Sequence, residues 1–299
     1  MNFIKYLLIE SHKHKRRHNN IIFLAVIILE ILFVYANYGN DRGLKEGWMA
    51  LFYSLPIMNT LFFPIMLSTF AGRLMDIEHK GHMFDSLYTF ISPIKLFFTK
   101  TVYGIISIIF FVIAQCFAII ILAKSLQFPL DFPAYYMVYY GFATALSCIL
   151  LFLLHLILAF TYRNQAVTIS IGLIGSFAGL FLAYLPTTFL QEILPWSGFI
   201  NSAFIDLDWN RDTRKITWLL SDLRIKPFFY SIFGLILLLS IAIYIIQKSG
   251  SEEKALKKKS IAVNNKISIH KMPIEFLKLK GSPAWFGFFI IPTLSAIIG

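Results

Sequence analysis

Charge is what this chain has least of: 27 basic and 16 acidic residues make up only 14% of its 299 positions, against 58% hydrophobic. The charges gather in short intervals, and the apolar runs between them are too long for soluble core helices, because crossing a bilayer takes roughly 20 apolar residues. A soluble fold is excluded, and so is a closed barrel, whose strands alternate rather than run continuously apolar. Cysteine is almost missing as well. Cys116 and Cys148 lie inside apolar runs with no partner at metal or redox spacing and read as small buried hydrophobes. No GxxxxGK[ST], HExxH or GxSxG stretch occurs, so the sequence has no phosphate cradle, zincin or nucleophile-elbow signature. Every histidine but His155 lies in the polar intervals, and no metal-ligand spacing emerges. We expect neither a catalytic residue nor a metal site.

What is present is a row of six apolar segments, about 21–38, 48–71, 101–123, 134–161, 165–185 and 227–246, none of which holds Lys or Arg. With the N-terminus in the cytosol, 19 basic residues fall inside and eight outside, and acidic residues neutralise the outer face. That bias sets the orientation. The net charge of +11 therefore reports membrane topology and anionic headgroups, and no nucleic acid is expected as a partner.

Residues 1–20 read as an interfacial helix, with Phe3, Ile4, Leu7 and Leu8 on one side and a basic run from His12 to His18 after them. Between the second and third segments, residues 72–100 form a polar interval. Within it Met83, Leu87, Phe90 and Ile91 share one face of a short amphipathic helix, and Ser92-Pro93 reads as a cap followed by the first residue of the next helix. A helix held at the cytosolic surface between two spans is a mechanical part.

The outer loop 186–226 carries Trp196, Phe199, Trp209 and Trp218, which suit a membrane interface in short surface or re-entrant helices. Gly172, Gly175 and Gly179 in the fifth segment allow close helix approach. Residues 247–272 read as a basic cytosolic linker. From 273 to 299 a second copy of the N-terminal region begins, because an offset of 265 aligns Glu275 with Glu10, Lys278 with Lys13, Lys280 with Lys15 and Phe286 with Ile21. That gives a partial seventh span, the start of a second module.

Three polar residues lie inside spans: Glu30, Gln115 and His155. Counted along ideal helices from the cytosolic end of each span, Glu30 and His155 reach similar depths, so a Glu30–His155 pair is expected. Its role stays open between a functional site and a hydrogen bond that fixes the register of the bundle.

Six spans, an interfacial N-terminal helix, and a first cytosolic loop with Glu78, Gly81, Leu87, Pro93 and Lys100 resemble the permeases of ABC-2 transporters, most of all the bacterial lantibiotic-immunity permeases. Leu194-Pro195-Trp196 resembles a Pro-Trp element before their last span. The resemblance implies an all-α, six-span membrane bundle in the bacterial plasma membrane. It implies pairing with a separate ATPase subunit, which would bind ATP and Mg while this chain binds no cofactor. It also implies a second permease module or subunit, in a homo- or heterodimer surrounded by membrane lipid. The interval 72–100 would then be the coupling loop, touching the ATPase through Glu78, Gly81, Met83, Leu87, Phe90, Ile91, Pro93 and Lys100, with Phe3, Leu7 and Trp196 at the membrane interface. The implied activity is export of an amphiphilic substrate such as an antimicrobial peptide. The alternatives are export of lipid-linked polysaccharide or another lipid, a non-transporting sensor or scaffold, and an intramembrane enzyme built on Glu30 and His155.

Overall fold

The computed structural model of the chain describes residues 3–15, 19–40, 43–80, 91–129, 134–162, 164–185, 189–210 and 215–264. Residues 1–247 form one compact unit and 248–299 a second, in which only the helical backbone as far as Asn264 is described.

A short helix α1 (Phe3–Lys15) leads into α2 (Asn20–Tyr38), α3 (Gly47–Lys80), α4 (Pro93–Ser125), α5 (Ala134–Thr161) and α6 (Gln165–Ala183), and the chain ends its described part in α9 (Lys226–Asn264). These six helices from α2 on, α9 included, are long and apolar enough to cross a membrane. The protein is a multi-pass membrane helix bundle, and its spans fall where the apolar segments lie. The last helix runs on through Asn264, into the stretch read as a linker. At 1.5 Å per residue, α3 and α4 are ~50 Å long and outreach the ~30 Å hydrocarbon layer, whereas α2 and α6 at ~28 Å barely span it. Ser92 precedes α4 in extended conformation (ψ 143°) and Pro93 opens the helix, as expected, although the serine makes no side-chain cap.

Helix α3 is the spine, packed along α6 and α5 and touching α2. Phenylalanines fill the seams: Phe63 sits edge-on to Phe111 at 5.1 Å and to Phe199 at 5.4 Å, and Phe23 meets both Phe70 and Phe111. Where α4 crosses α5, a Cβ on Gly104 would lie 2.0 Å from Phe152 Cζ, so glycine is required for this approach.

Between α6 and α9 lies an element the sequence reading did not foresee. After the short helices α7 (Phe189–Ile193), a 3-10 turn (Pro195–Ser197) and α8 (Gly198–Asn201), strands β1 (Ile205–Asn210) and β2 (Lys215–Leu220) pair as an antiparallel hairpin, with Leu207 opposite Trp218. Its signal was a period of two, with Ile205, Leu207 and Trp209 alternating with Asp206 and Asp208. Ile205 and Phe204 pack into the core beneath, and Trp218 lies 5.1 Å from Tyr53.

Candidate functional site

Two buried polar sites stand out, one where α1 meets the ends of α3 and α4 and one midway along the bundle.

The first is built from charge. Lys100, fully buried on α4, places Nζ 2.5 Å from Glu10 Oε1, 3.0 Å from Glu78 Oε2 and 2.7 Å from the Leu74 carbonyl oxygen. The contacts with Glu10 and the Leu74 carbonyl are hydrogen bonds, and the contact with Glu78 is an ion pair. Lys13 closes the ring from the water side, 3.5 Å from Glu10 Oε2 and 3.3 Å from Glu78 Oε1. His14 Nε2 donates to Glu10 Oε1 at 3.0 Å, and its Nδ1 accepts from the Asn19 side chain at 3.2 Å, which fits the tautomer protonated on Nε2. The imidazole lies stacked on Tyr103, 5.4 Å away.

Two carboxylates and two ammoniums leave the ring electrically neutral, which is how charges are tolerated out of water. Burial alone would raise the Glu10 carboxyl, but the His14 hydrogen bond and the Lys100 and Lys13 charges hold it down at about 2. The effect on α1 is an inverted amphipathicity. Glu10 and His14, four residues apart, are its buried side, while Ile4 and Leu8 stay exposed. Phe3 is exposed and Leu7 half-buried, so an apolar face does turn outward, but charge rather than apolar contact fastens the helix to the bundle.

The second site carries a single carboxyl. Glu30 on α2 meets Gln115 of α4, whose Nε2 lies 2.9 and 3.2 Å from its two oxygens. With its amide nitrogen toward Glu30, Asn59 of α3 donates to Oε1 at 2.9 Å and to the Leu55 carbonyl at 3.2 Å, and accepts from Tyr140 of α5 at 2.9 Å. One side chain from each of four helices therefore meets at this point.

The expected Glu30–His155 pair does not form. His155 is buried with both ring nitrogens unbonded, edge-on to Trp196 at 6.3 Å. The depth count failed because the helices extend unequally beyond one another. Asn20, the first residue of α2, lines the same cleft as Tyr103, which already lies well inside α4, so Glu30 is level with Gln115 and Tyr140 instead. Trp196, expected at the membrane interface, is instead turned inward: a Cβ on Gly175 would lie 2.1 Å from its Nε1, and Gly179 meets its carbonyl. Of the three glycines, Gly172 faces α3 at Ser68 and Pro64, and Gly179 faces it at Thr60.

Of the residues expected to touch an ATPase, Glu78 and Lys100 are joined in the ion-pair ring, Pro93 opens α4 and Ile91 lies half-buried just before it. Gly81, Met83, Leu87 and Phe90 lie outside the described residues, as does the stretch 273–299 read as a second start. The reading missed Glu10, Lys13 and His14 as site residues, Asn59 as a partner of Glu30, and Tyr140 as the phenol that bonds Asn59 and Gln115. Glu10 did carry a signal, being the sole acidic residue before Glu30 in a strongly basic segment. Among the described residues no group of three or more His, Cys, Asp or Glu side chains is placed to hold a metal ion.

Six spanning helices, four of them joined by an ion-pair ring at one end and an amide–carboxyl cluster in the middle, define a multi-pass α-helical membrane protein. The family model described as ABC-2 family transporter protein matches residues 6–179, and the chain belongs to that family. The match takes in α1 through most of α6, and with them every residue of both polar sites. No curated protein matches the chain. It is a membrane-spanning subunit of an ABC transporter rather than an ATPase, of a family that generally works with a separate ABC ATPase subunit.

Proposed function

We propose that the chain is the permease of a bacterial plasma-membrane exporter that expels amphiphilic peptides of the antimicrobial kind, with its N-terminus and α1 on the cytosolic side. ATP and Mg reside on the partner ATPase, and a second permease module or subunit completes the path. The observation that carries this reading is the ring Glu10–Lys13–Glu78–Lys100, which ties both flanks of the interval 81–92 to α1. A partner pressing on that interval through Gly81, Met83, Leu87, Phe90 and Ile91 moves α1, α3 and α4 together, because separating any one of them exposes an unpaired buried charge. The Phe-rich bundle suits amphiphilic cargo.

The test is co-expression with the candidate ATPase, co-purification, and reconstitution into liposomes. ATP-dependent protection of the vesicles from a cationic amphiphilic peptide supports the proposal. Leu87→Asp with Phe90→Asp abolishes ATPase capture while leaving the bundle folded. ATPase stimulation by a lipid-linked glycan and not by peptide overturns the cargo, and capture that survives the double variant overturns the coupling surface. Absence of any ATP-driven transport points instead to a sensor.

A further inference from the structure

The mid-bundle cluster holds a conflict that one proton removes. Glu30, Asn59, Gln115 and Tyr140 are all buried, and a buried side-chain amide takes the orientation that its two ends demand. The nearer end of the Gln115 amide lies 2.9 and 3.2 Å from the two Glu30 oxygens. The nearer end of the Asn59 amide lies 2.9 Å from Glu30 Oε1, 3.2 Å from the Leu55 carbonyl oxygen and 3.1 Å from that end of Gln115. An ionised carboxylate only accepts, so it asks for a nitrogen at both ends. Two donors would then oppose each other at 3.1 Å. Turning Asn59 relieves that contact but sets its oxygen against two acceptors, Glu30 and Leu55, and turning Gln115 instead sets its oxygen against both carboxylate oxygens. With Glu30 ionised, every orientation of the two amides leaves like facing like.

A proton on Glu30 settles every contact. With the Gln115 carbonyl turned toward the carboxyl, Glu30 Oε2–H donates to it across 2.9 Å, Asn59 Nδ2 donates to Glu30 Oε1 at 2.9 Å, and the Tyr140 hydroxyl donates to Asn59 Oδ1 at 2.9 Å. The far end of Gln115 has no hydrogen-bond partner among the described residues, and a cavity of about 10 Å³ lined by Gln115 and Glu30 has room for one water to serve it. Charge argues the same way. Among the described residues no cation lies within ion-pairing distance of Glu30, and the other titratable groups near enough to act on it are Tyr140, Cys116 and Cys148, none of which can carry a positive charge. A carboxylate buried without a counter-charge is costly enough that the group takes up a proton instead. We infer that Glu30 is an intramembrane proton-binding site, whose carboxyl stands as the neutral acid and hydrogen-bonds α2 to the Gln115 carbonyl of α4. The proton comes from water and stays on the carboxyl, so no other group changes its charge. Its loss would set like against like again, so this bond between α2 and α4 lasts only while the proton is held. The inference does not depend on what the protein transports.

Infrared spectroscopy of the full chain in liposomes, with isotope label at the glutamate carboxyls, tests it. At neutral pH the wild-type chain should show a protonated-carboxyl band that responds to the label. Glu30→Gln, which keeps the size of the side chain, should remove that band entirely, and Glu192→Gln, at an exposed position of α7, should leave it whole. Gln115→Met takes away the acceptor of the O–H at similar size and should move the band to higher frequency. A wild-type chain without such a band overturns the proton site before any variant is made, and so does a band that Glu30→Gln leaves in place. A band that Gln115→Met does not move overturns the bond to α4.

Discussion

The two polar sites hold their helices by opposite means. At the α1 end, each charge in the ring faces a charge of the other sign, and the arrangement extends outward to Lys13, the one member with appreciable exposure. At mid-bundle, a lone carboxyl meets two amides that a phenol backs, and among the described residues no cation lies within ion-pairing distance of it. The difference follows position. Near the bundle end a lysine stem can reach both a carboxylate and water, whereas at mid-bundle a long cation would have no exit and a short amide satisfies an oxygen without bringing a charge. The ring joins α1 to the ends of α3 and α4, and the inner cluster joins α2, α3, α4 and α5 at one level.

Lys100→Met breaks the comparison hardest. It leaves Glu10 and Glu78 buried without their inner cation, and about 3–5 kcal/mol of stability should be lost. Thermal unfolding of the detergent-solubilised chain measures it, and adding Glu10→Gln and Glu78→Gln should restore part of the loss rather than add to it. A melting temperature that Lys100→Met does not move would show that the ring is not holding the helices. At mid-bundle, Glu30→Leu strands the amides of Gln115 and Asn59 and should cost about 1–3 kcal/mol, while Glu30→Gln keeps one acceptor and should cost less. Transport that survives Glu30→Gln would confine this cluster to structure. A third contrast uses packing alone. Gly104→Ala drives a methyl into Phe152 near the ring and should lose about 1–3 kcal/mol without altering any charge.

Acid separates the two sites next. The Glu10 carboxyl lies below its ordinary 4.5, at about 2, so its stabilising share is whole above pH 4.5 and is lost as pH falls toward 2. Hydrogen exchange of α1 amides should accelerate across that window, and Lys100→Met should shift its onset upward, since removing a cation raises the carboxyl. The smallest effect belongs to Lys13→Ala, at about 0.2–1 kcal/mol, because water partly screens that member of the ring. An effect as large as that of Lys100→Met would make the outer edge as tightly desolvated as the inner one.

Much of this could be read along the chain. Charge scarcity and run length mark the six spans, Ser92-Pro93 marks the start of α4, and Glu78 and Lys100 stand out as charges at the ends of apolar helices. The ring itself could not be read, because α1 presents what looks like an ordinary basic flank and its buried side carries charge instead of hydrophobes. The hairpin was hidden by its aromatic residues, which fit an interface as well as a strand.

The sequence by itself settled class, span number and span position. Those depend on how many apolar residues lie in a row, and the bilayer imposes that count on each segment separately. Partner choice was decided only in three dimensions. Whether Glu30 meets His155 or Gln115 depends on the height and rotation of one helix against another, and α2, α4 and α5 begin and end at different depths. Trp196 turned inward for the same reason: the glycines of α6 leave a hollow that only the folded chain brings beneath the indole.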